Sequence, residues 1–178
     1  MWSNLLLSGP PRVGKTTLVQ KIIRKLPKEV EVSGFFTEEI KEGGKRQGFK
    51  VITTEGTEGV FAHHSFTSRE RVGKYGVDIA AFEKIAVSAM EKALSRERTK
   101  VLVVDEIGKM ELFSEKFRET LLRALESPKV VIATMGIQRD AFTEVVRRRP
   151  DAKIFEVTKG NRDDLPETIL KVLSVSKF

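Results

Sequence analysis

The 178-residue chain contains no cysteine, which rules out disulfides and thiolate metal sites. It has no apolar run approaching the ~20 residues of a membrane-spanning helix. Its only histidines are the adjacent pair His63-His64, so a histidine-based metal centre has no third ring to draw on. On a strand, neighbouring side chains point to opposite faces, and the pair is read as structural or solvent-facing. Asn occurs only at 4 and 161, and Gln only at 20, 47 and 138. Charged residues reach 32%, above the ordinary ~25%. Few thermolabile amides among many charges suggest a heat-adapted source. There is no basic tail and no basic segment interleaved with aromatics; Arg147-Arg148-Arg149 is the only tight cationic triplet. The net charge of +7 suits anionic ligands, but nothing marks nucleic acid as a partner. The start, Met1-Trp2-Ser3-Asn4-Leu5-Leu6-Leu7, lacks a basic lead and has too short an apolar run for a secretory signal, so a soluble cytoplasmic protein is expected. Length fits one α/β domain over 1–178, and no feature fixes an oligomeric state.

What is present is led by Gly9-Pro10-Pro11-Arg12-Val13-Gly14-Lys15-Thr16, which matches the phosphate-binding P-loop G-x-x-x-x-G-K-[ST]. Leu5-Leu6-Leu7 ahead of it can form a buried strand. Behind it, apolar residues at 18, 19, 22, 23 and 26 keep helical spacing. Glycines at 9 and 14 are expected to give the backbone conformations closed to other residues, so that its N–H groups turn inward. The helix adds its own N-terminal donors and positive dipole end. The whole segment through Thr17 is thus assigned to the nucleotide. Lys15 would reach the β- and γ-phosphates, and the Thr16 hydroxyl would ligate Mg²⁺.

Four short apolar runs read as buried parallel strands: Leu5–Leu7, Val101–Val104, Val130–Ala133 and Ile154–Val157. Helical patterns lie between and after them. One runs from Ile79 to Leu94, with Phe82, Ile85, Ala86, Ala89 and Ala93 on one side. Another runs from Glu115 to Leu125, capped by Ser114. A third covers Arg139 to Arg148, and a last begins near Asp163 or Asp164. The expected fold is α/β, a mainly parallel sheet with helices on both faces. Residues 30 to 62 alternate polar and apolar around glycine turns at Gly43-Gly44 and Gly56, and read as a small antiparallel insertion after the first helix.

Val101-Leu102-Val103-Val104-Asp105-Glu106 supplies the second half of the site. Four apolar residues ending in an acid match the Walker B strand, expected to run beside the P-loop strand and bring Asp105 to the Mg²⁺, directly or through water. Glu106 is placed to orient and partly deprotonate an attacking water. The pair lies about 90 residues beyond the P-loop, a common spacing in this fold.

Asp105-Glu106-Ile107-Gly108-Lys109-Met110-Glu111-Leu112, with Gly9–Thr17, resembles a family of cytosolic nucleoside-triphosphatases known from thermophilic microbes, with a human cancer-related relative. Gly34–Ile40, Val72–Asp78 and Asn161-Arg162-Asp163 agree, so the resemblance covers nearly the whole chain. It implies a P-loop fold similar to RecA-like and nucleotide-kinase domains. It also implies Mg²⁺-dependent hydrolysis of ATP, GTP and other nucleoside triphosphates with little base preference. Arg12 stands where the family often has glycine; its side chain is expected in solvent rather than on the γ-phosphate. Asn161 and Arg162 lie where the loop after the last strand passes the base in related folds. Arg162 would stack on any base, while Asn161 or Asp163 would cap a helix.

Lys109 either neutralises phosphate charge or pairs with Glu111. Arg139, Arg147, Arg148 and Arg149 are candidates for an arginine finger, with Arg139 the best placed after the Thr134-Met135-Gly136 loop; the alternative is a solvated helix face. Two further functions remain open. A small nucleotide or nucleoside kinase on the same fold is distinguished by Glu106 and by the absence of a recognisable arginine-rich lid and acceptor site. A nucleic-acid-linked ATPase would be marked by stimulation with DNA or RNA.

Overall fold

The computed structural model describes residues 3–174, with the side chain of Ser174 left out. Among them nine strands form one sheet in the order β5-β6-β4-β3-β2-β7-β8-β1-β9. The strands are β1 (Asn4–Ser8), β2 (Glu31–Glu42), β3 (Lys45–Thr53), β4 (Glu58–His63), β5 (Arg71–Val72), β6 (Tyr75–Val77), β7 (Thr99–Ile107), β8 (Val130–Met135) and β9 (Ala152–Glu156). β2, β7, β8, β1 and β9 are parallel; β3, β4, β6 and β5 extend the sheet antiparallel from β2.

The apolar runs arise from burial on both faces. Leu5, Leu7, Val101, Val103 and Ile132 face α1 (Lys15–Lys25) and α6 (Leu165–Ser174). Leu6, Leu102, Val104, Val131 and Ala133 face the opposite core. There α2 (Ile79–Phe82), α3 (Ser88–Ser95), α4 (Glu115–Glu126) and α5 (Ala141–Arg147) lie. Phe35, Phe82 and Phe117 meet edge-on in that core, at 5.4–6.2 Å between ring centroids. Ser114 caps α4 as expected, accepting from the Phe117 N–H at 3.0 Å.

Three expectations change. The residues after the first helix are not an appendage. β2 pairs parallel with β7 over its first half, from Glu31 to Phe35, and antiparallel with β3 from Phe35 onward. One long strand therefore serves as a fifth parallel strand and as the root of the antiparallel wing. The Walker B strand β7 does not run beside β1; β8 lies between them. Finally, the helix over 79–95 contains a π turn at Glu83–Val87. The extra residue shifts the buried face, so Val87 and Met90 are buried while Ile85 and Ala89 are only partly so.

His63 closes β4 and His64 lies in the turn beyond it. The pair therefore does not alternate across a strand: the rings lie 4.5 Å apart on one side, with His63 Nδ1 2.6 Å from the Ser65 hydroxyl. Among the described residues no group of three or more His, Asp or Glu is arranged to hold a metal, and no helix is long and apolar enough to cross a membrane.

Candidate active site

The site lies where β1, β7 and β8 end. Gly9 leaves β1 with its N–H donating to the Met135 carbonyl at 3.2 Å. Of the two motif glycines, only Gly14 uses the left-handed region, at φ 108°, as the N-cap of α1. Gly9 is required for a different reason: a Cβ there would lie 2.8 Å from the Val157 carbonyl oxygen. The other left-handed residue of the loop is Arg12, at φ 63°. That conformation explains why glycine suits this position and why an arginine is strained there. The Arg12 side chain is 68% exposed and leans over Glu39 of β2, with Nε 3.5 Å from its Oε1. It lies toward solvent, as expected, and is tied to the antiparallel wing.

No side chain caps α1 and no acid lies in its first turn. Its leading N–H groups therefore remain available to an anion, reinforced by the helix dipole. Lys15 is buried, and its ammonium donates to the carbonyls of Gly9 at 2.7 Å and Pro10 at 3.0 Å. Burial lowers its pKa, while Glu106 and Asp105 oppose the shift and hold its charge. Pro10 and Pro11 are exposed at the loop crest, and Val13 is buried beneath it.

Asp105 reaches this loop although β8 separates their strands, because β8 contributes to the same cluster. The Thr16 hydroxyl donates to Asp105 Oδ2 at 2.8 Å and the Thr134 hydroxyl to Oδ1 at 2.5 Å. The Thr37 N–H lies 3.5 Å from Oδ2. Burial raises the Asp105 pKa, against these hydrogen bonds. The next peptide, Asp105–Glu106, is cis. Burial likewise raises Glu106, with Lys15 pulling it down and Asp105 adding to the rise. A Cβ on Gly136 would lie 4.0 Å from Glu106 Oε1, so the loop after β8 closes over this carboxyl.

Glu111 belongs to the same cluster. It is only 6% exposed, and its carboxyl sits where a Gly108 side chain would have to go, at 2.8 Å. Burial, with the Glu106 charge second, pushes its pKa up to about 8. It forms no ion pair with Lys109, which is exposed. A glutamate inside the most specific motif is the signal that a role was to be sought there; its burial has no local signature. Glu39 is also unannounced by the sequence. It gathers Arg12, Arg46 and Lys41, which together with hydrogen bonding hold its carboxyl below the usual range against burial.

On the far side, Arg162 donates to the Val13 carbonyl at 3.1 Å, and its Cδ would lie 3.5 Å from a Cβ on Gly14. It thus packs on the P-loop. Asn161 fastens the preceding loop: its Oδ1 accepts from the Thr158 N–H and its Nδ2 donates to the Glu156 carbonyl, both at 2.8 Å. Among the four arginines, Arg139 is 68% exposed and pairs with Glu144 at 3.3 Å; Arg148 also pairs with Glu144. Arg149 holds Asp151 at 2.8 Å. Arg147 is the one that reaches the strand ends, donating to Ser8 Oγ at 3.0 Å and the Gly136 carbonyl at 2.8 Å.

Known proteins resemble this chain over nearly its whole length. A family model described as NTPase matches residues 4–170. A nucleoside-triphosphatase from Thermotoga maritima is 44% identical over 97% of each chain. The human cancer-related nucleoside-triphosphatase is 39% identical, over 99% of this chain and all of its own. The crystal structure of THEP1 from the hyperthermophile Aquifex aeolicus superposes with a TM-score of 0.84 at 41% identity, covering 96% of this chain and 98% of that one. A P-loop whose lysine, threonine and Walker B carboxylates converge, matched by relatives along nearly its whole length, identifies the chain as a member of the nucleoside-triphosphatase family, with its α/β P-loop fold.

Proposed function

We propose that the protein hydrolyses nucleoside 5′-triphosphates to the diphosphate and phosphate, with Mg²⁺ and little regard for the base. The observation that carries the reading is the convergence of Glu106, Lys15 and the uncapped α1 N-terminus at one pole of the sheet. The family's name agrees with it. Residues 1–178 act as one domain, because a single sheet runs through both cores, and the cytoplasm, which holds the triphosphates, is its compartment.

The residues divide the work by chemistry. Gly9–Thr17 wraps the phosphates, with the α1 N–H groups as donors. Lys15 exchanges two carbonyl partners for phosphate oxygens and follows the charge that builds between β and γ. Thr16 and Asp105 are hard oxygen donors 2.8 Å apart, which fits Mg²⁺ better than a soft metal. Having few protein ligands also fits an ion that keeps water and phosphate oxygens. When bound, Mg²⁺ supplies charge neutralisation between the phosphates. Glu106 accepts a proton from water as the water oxygen attacks the γ-phosphorus and the bond to the β-phosphate oxygen breaks.

Low base selectivity is supported by what surrounds Gly14. The Asn161 amide is oriented by two backbone partners of its own loop, which turns it away from the role of a base reader. Arg162 offers a flat guanidinium, which stacks on any ring. Arg139 and Arg147 both have partners, so turnover is expected to be slow beside finger-assisted enzymes, where that group gives ~10³–10⁵.

Supplying each triphosphate alone and following phosphate release tests the reading. Release should occur with all of them, stop with excess chelator and return with Mg²⁺. Phosphate transfer to an added nucleoside or nucleotide acceptor would favour a kinase instead. A requirement for DNA or RNA would favour a nucleic-acid-linked ATPase.

A further inference from the structure

The segment that follows β7, just beyond Glu106, also lines an open cleft. Lys109, Leu112 and Phe113 face this cleft of about 480 Å³. Its walls are Arg71 of β5, Arg118 of α4, and Phe142 in α5 with Asp140 ahead of it. Small-ligand sites commonly measure ~300–1,000 Å³.

The cleft carries an excess of positive charge, three cations against the one carboxylate of Asp140. Arg71 donates to the carbonyls of Phe66 at 2.9 Å and Lys74 at 2.7 Å, and Arg118 to the Leu112 carbonyl at 2.5 Å. Neither guanidinium, nor Lys109, belongs to an ion pair among the described residues. The one acid on the rim, Asp140, is engaged as the α5 cap, accepting from the Thr143 N–H at 2.9 Å. Three cations and one carboxylate therefore line one space with an excess of positive charge, whose remaining surface is Val72, Gly73, Leu112, Phe113 and Phe142.

We propose that this cleft binds a second ligand beside the triphosphate, a small phosphate monoester carrying a flat aromatic ring, of the nucleoside monophosphate class. Arg71 and Arg118 offer planar forks suited to phosphate oxygens, and Lys109 adds a point charge. Leu112, Phe113 and Phe142 give the ring an apolar bed. None of these residues belongs to the P-loop or to the Asp105–Glu106 pair, so the cleft is a separate site. It is mechanically linked to that pair, since Lys109 lies three residues beyond Glu106. The loop that leads from Gly136, packed at Glu106, runs to Asp140. Occupancy would hold both loops, and with them the carboxyl of Glu106.

The test is calorimetric. The protein is first saturated with ADP and Mg²⁺, so that the P-loop is filled. AMP, GMP, CMP, UMP and inorganic phosphate are then titrated in separately, at low and high salt. Equilibrium dialysis with labelled ADP follows the first site. One equivalent of monophosphate should bind while ADP stays bound, more tightly than inorganic phosphate and more weakly as salt rises. Arg71→Glu and Lys109→Ala should each weaken it at least tenfold; each variant still binding one ADP shows that it is folded. Lys109 has no structural partner to lose, which keeps the second variant informative if the first is unstable. The proposal is overturned by absence of binding, by displacement of ADP, by inorganic phosphate binding as tightly as the monophosphates, or by unchanged affinity in both variants. Each of these results leaves triphosphate hydrolysis unaffected.

Discussion

Replacing Glu106 by glutamine separates binding from chemistry. The carboxyl lies in a desolvated pocket with Lys15 as its chief opposing charge and Asp105 as a like charge. Glutamine preserves the shape and some hydrogen bonding but cannot accept the proton. Loss of a positioned general base costs ~10²–10⁴ in rate, about 3–5.5 kcal/mol at 1.36 kcal/mol per decade. Binding should respond in the opposite sense. The substitution removes one negative charge from a pole that must hold phosphates, so nucleotide affinity should stay level or tighten. The pH profile adds a second readout. Because burial raises the Glu106 pKa, the parent enzyme should gain activity with rising pH only above the ordinary carboxylate range, and this limb should vanish in the variant. Calorimetry with ADP and a non-hydrolysable triphosphate, beside phosphate release, gives both numbers. If affinity and turnover fall together, Glu106 organises the metal or the fold. If turnover stays within threefold or so, on the scale of these effects, the water is activated elsewhere.

Other expectations follow from the same geometry. Lys15→Ala should reduce turnover at least ~10²-fold, the scale of losing one preorganised donor; phosphate release within a few-fold of the parent would show that the loop is not the working site. Arg12→Gly should raise thermal stability by up to about 1 kcal/mol, because relief of the left-handed backbone outweighs an exposed ion pair with Glu39. A tenfold loss of turnover would instead place the Arg12 side chain on phosphate. Glu111 binds its proton more tightly folded, at about 8, than unfolded, at 4.5. Its contribution is thus complete below pH 4.5 and lost as pH rises through about 8, by up to about 5 kcal/mol. Denaturant midpoints at pH 5 and 8 should differ less in Glu111→Gln; an unchanged difference would show that Glu111 is not buried as the acid.

Much of the site was legible because its signals are local. Gly14, Lys15 and Thr16 sit on one turn, and the backbone conformation they require is encoded within a few residues. The apolar runs of β1, β7 and β8 marked buried parallel strands for the same reason, since burial on both faces leaves few polar positions, whereas β9 at the sheet edge keeps Lys153 and Glu156. β2 was harder: only Ser33, Gly34 and Phe35 of its first half are fully buried, and charged Glu31 and the wing beyond Phe36 give it the alternation of an edge hairpin. Asp105 was expected at the P-loop from a strand beside β1, and it reaches Thr16 from a strand one place further out. Strand order depends on where each crossover lands, and no residue in β1 or β7 specifies that β8 must come between.

The sequence by itself determined the phosphate loop, the acidic strand end, the helix caps and the doubly covered sheet, all of which rest on spacing along the chain. Tertiary structure alone decided that Thr134 completes the Asp105 cluster and that Glu111 is driven under Glu106. It alone brought Arg12 to Glu39, and Arg71, Lys109 and Arg118 around one cleft. These partners lie 5 to 47 residues apart, from Glu106–Glu111 to Arg71–Arg118. A charge on an isolated segment is solvated and silent about its neighbours. Only packing removes the water, and with it decides which charges are paired, which are forced neutral and which are left open to a ligand.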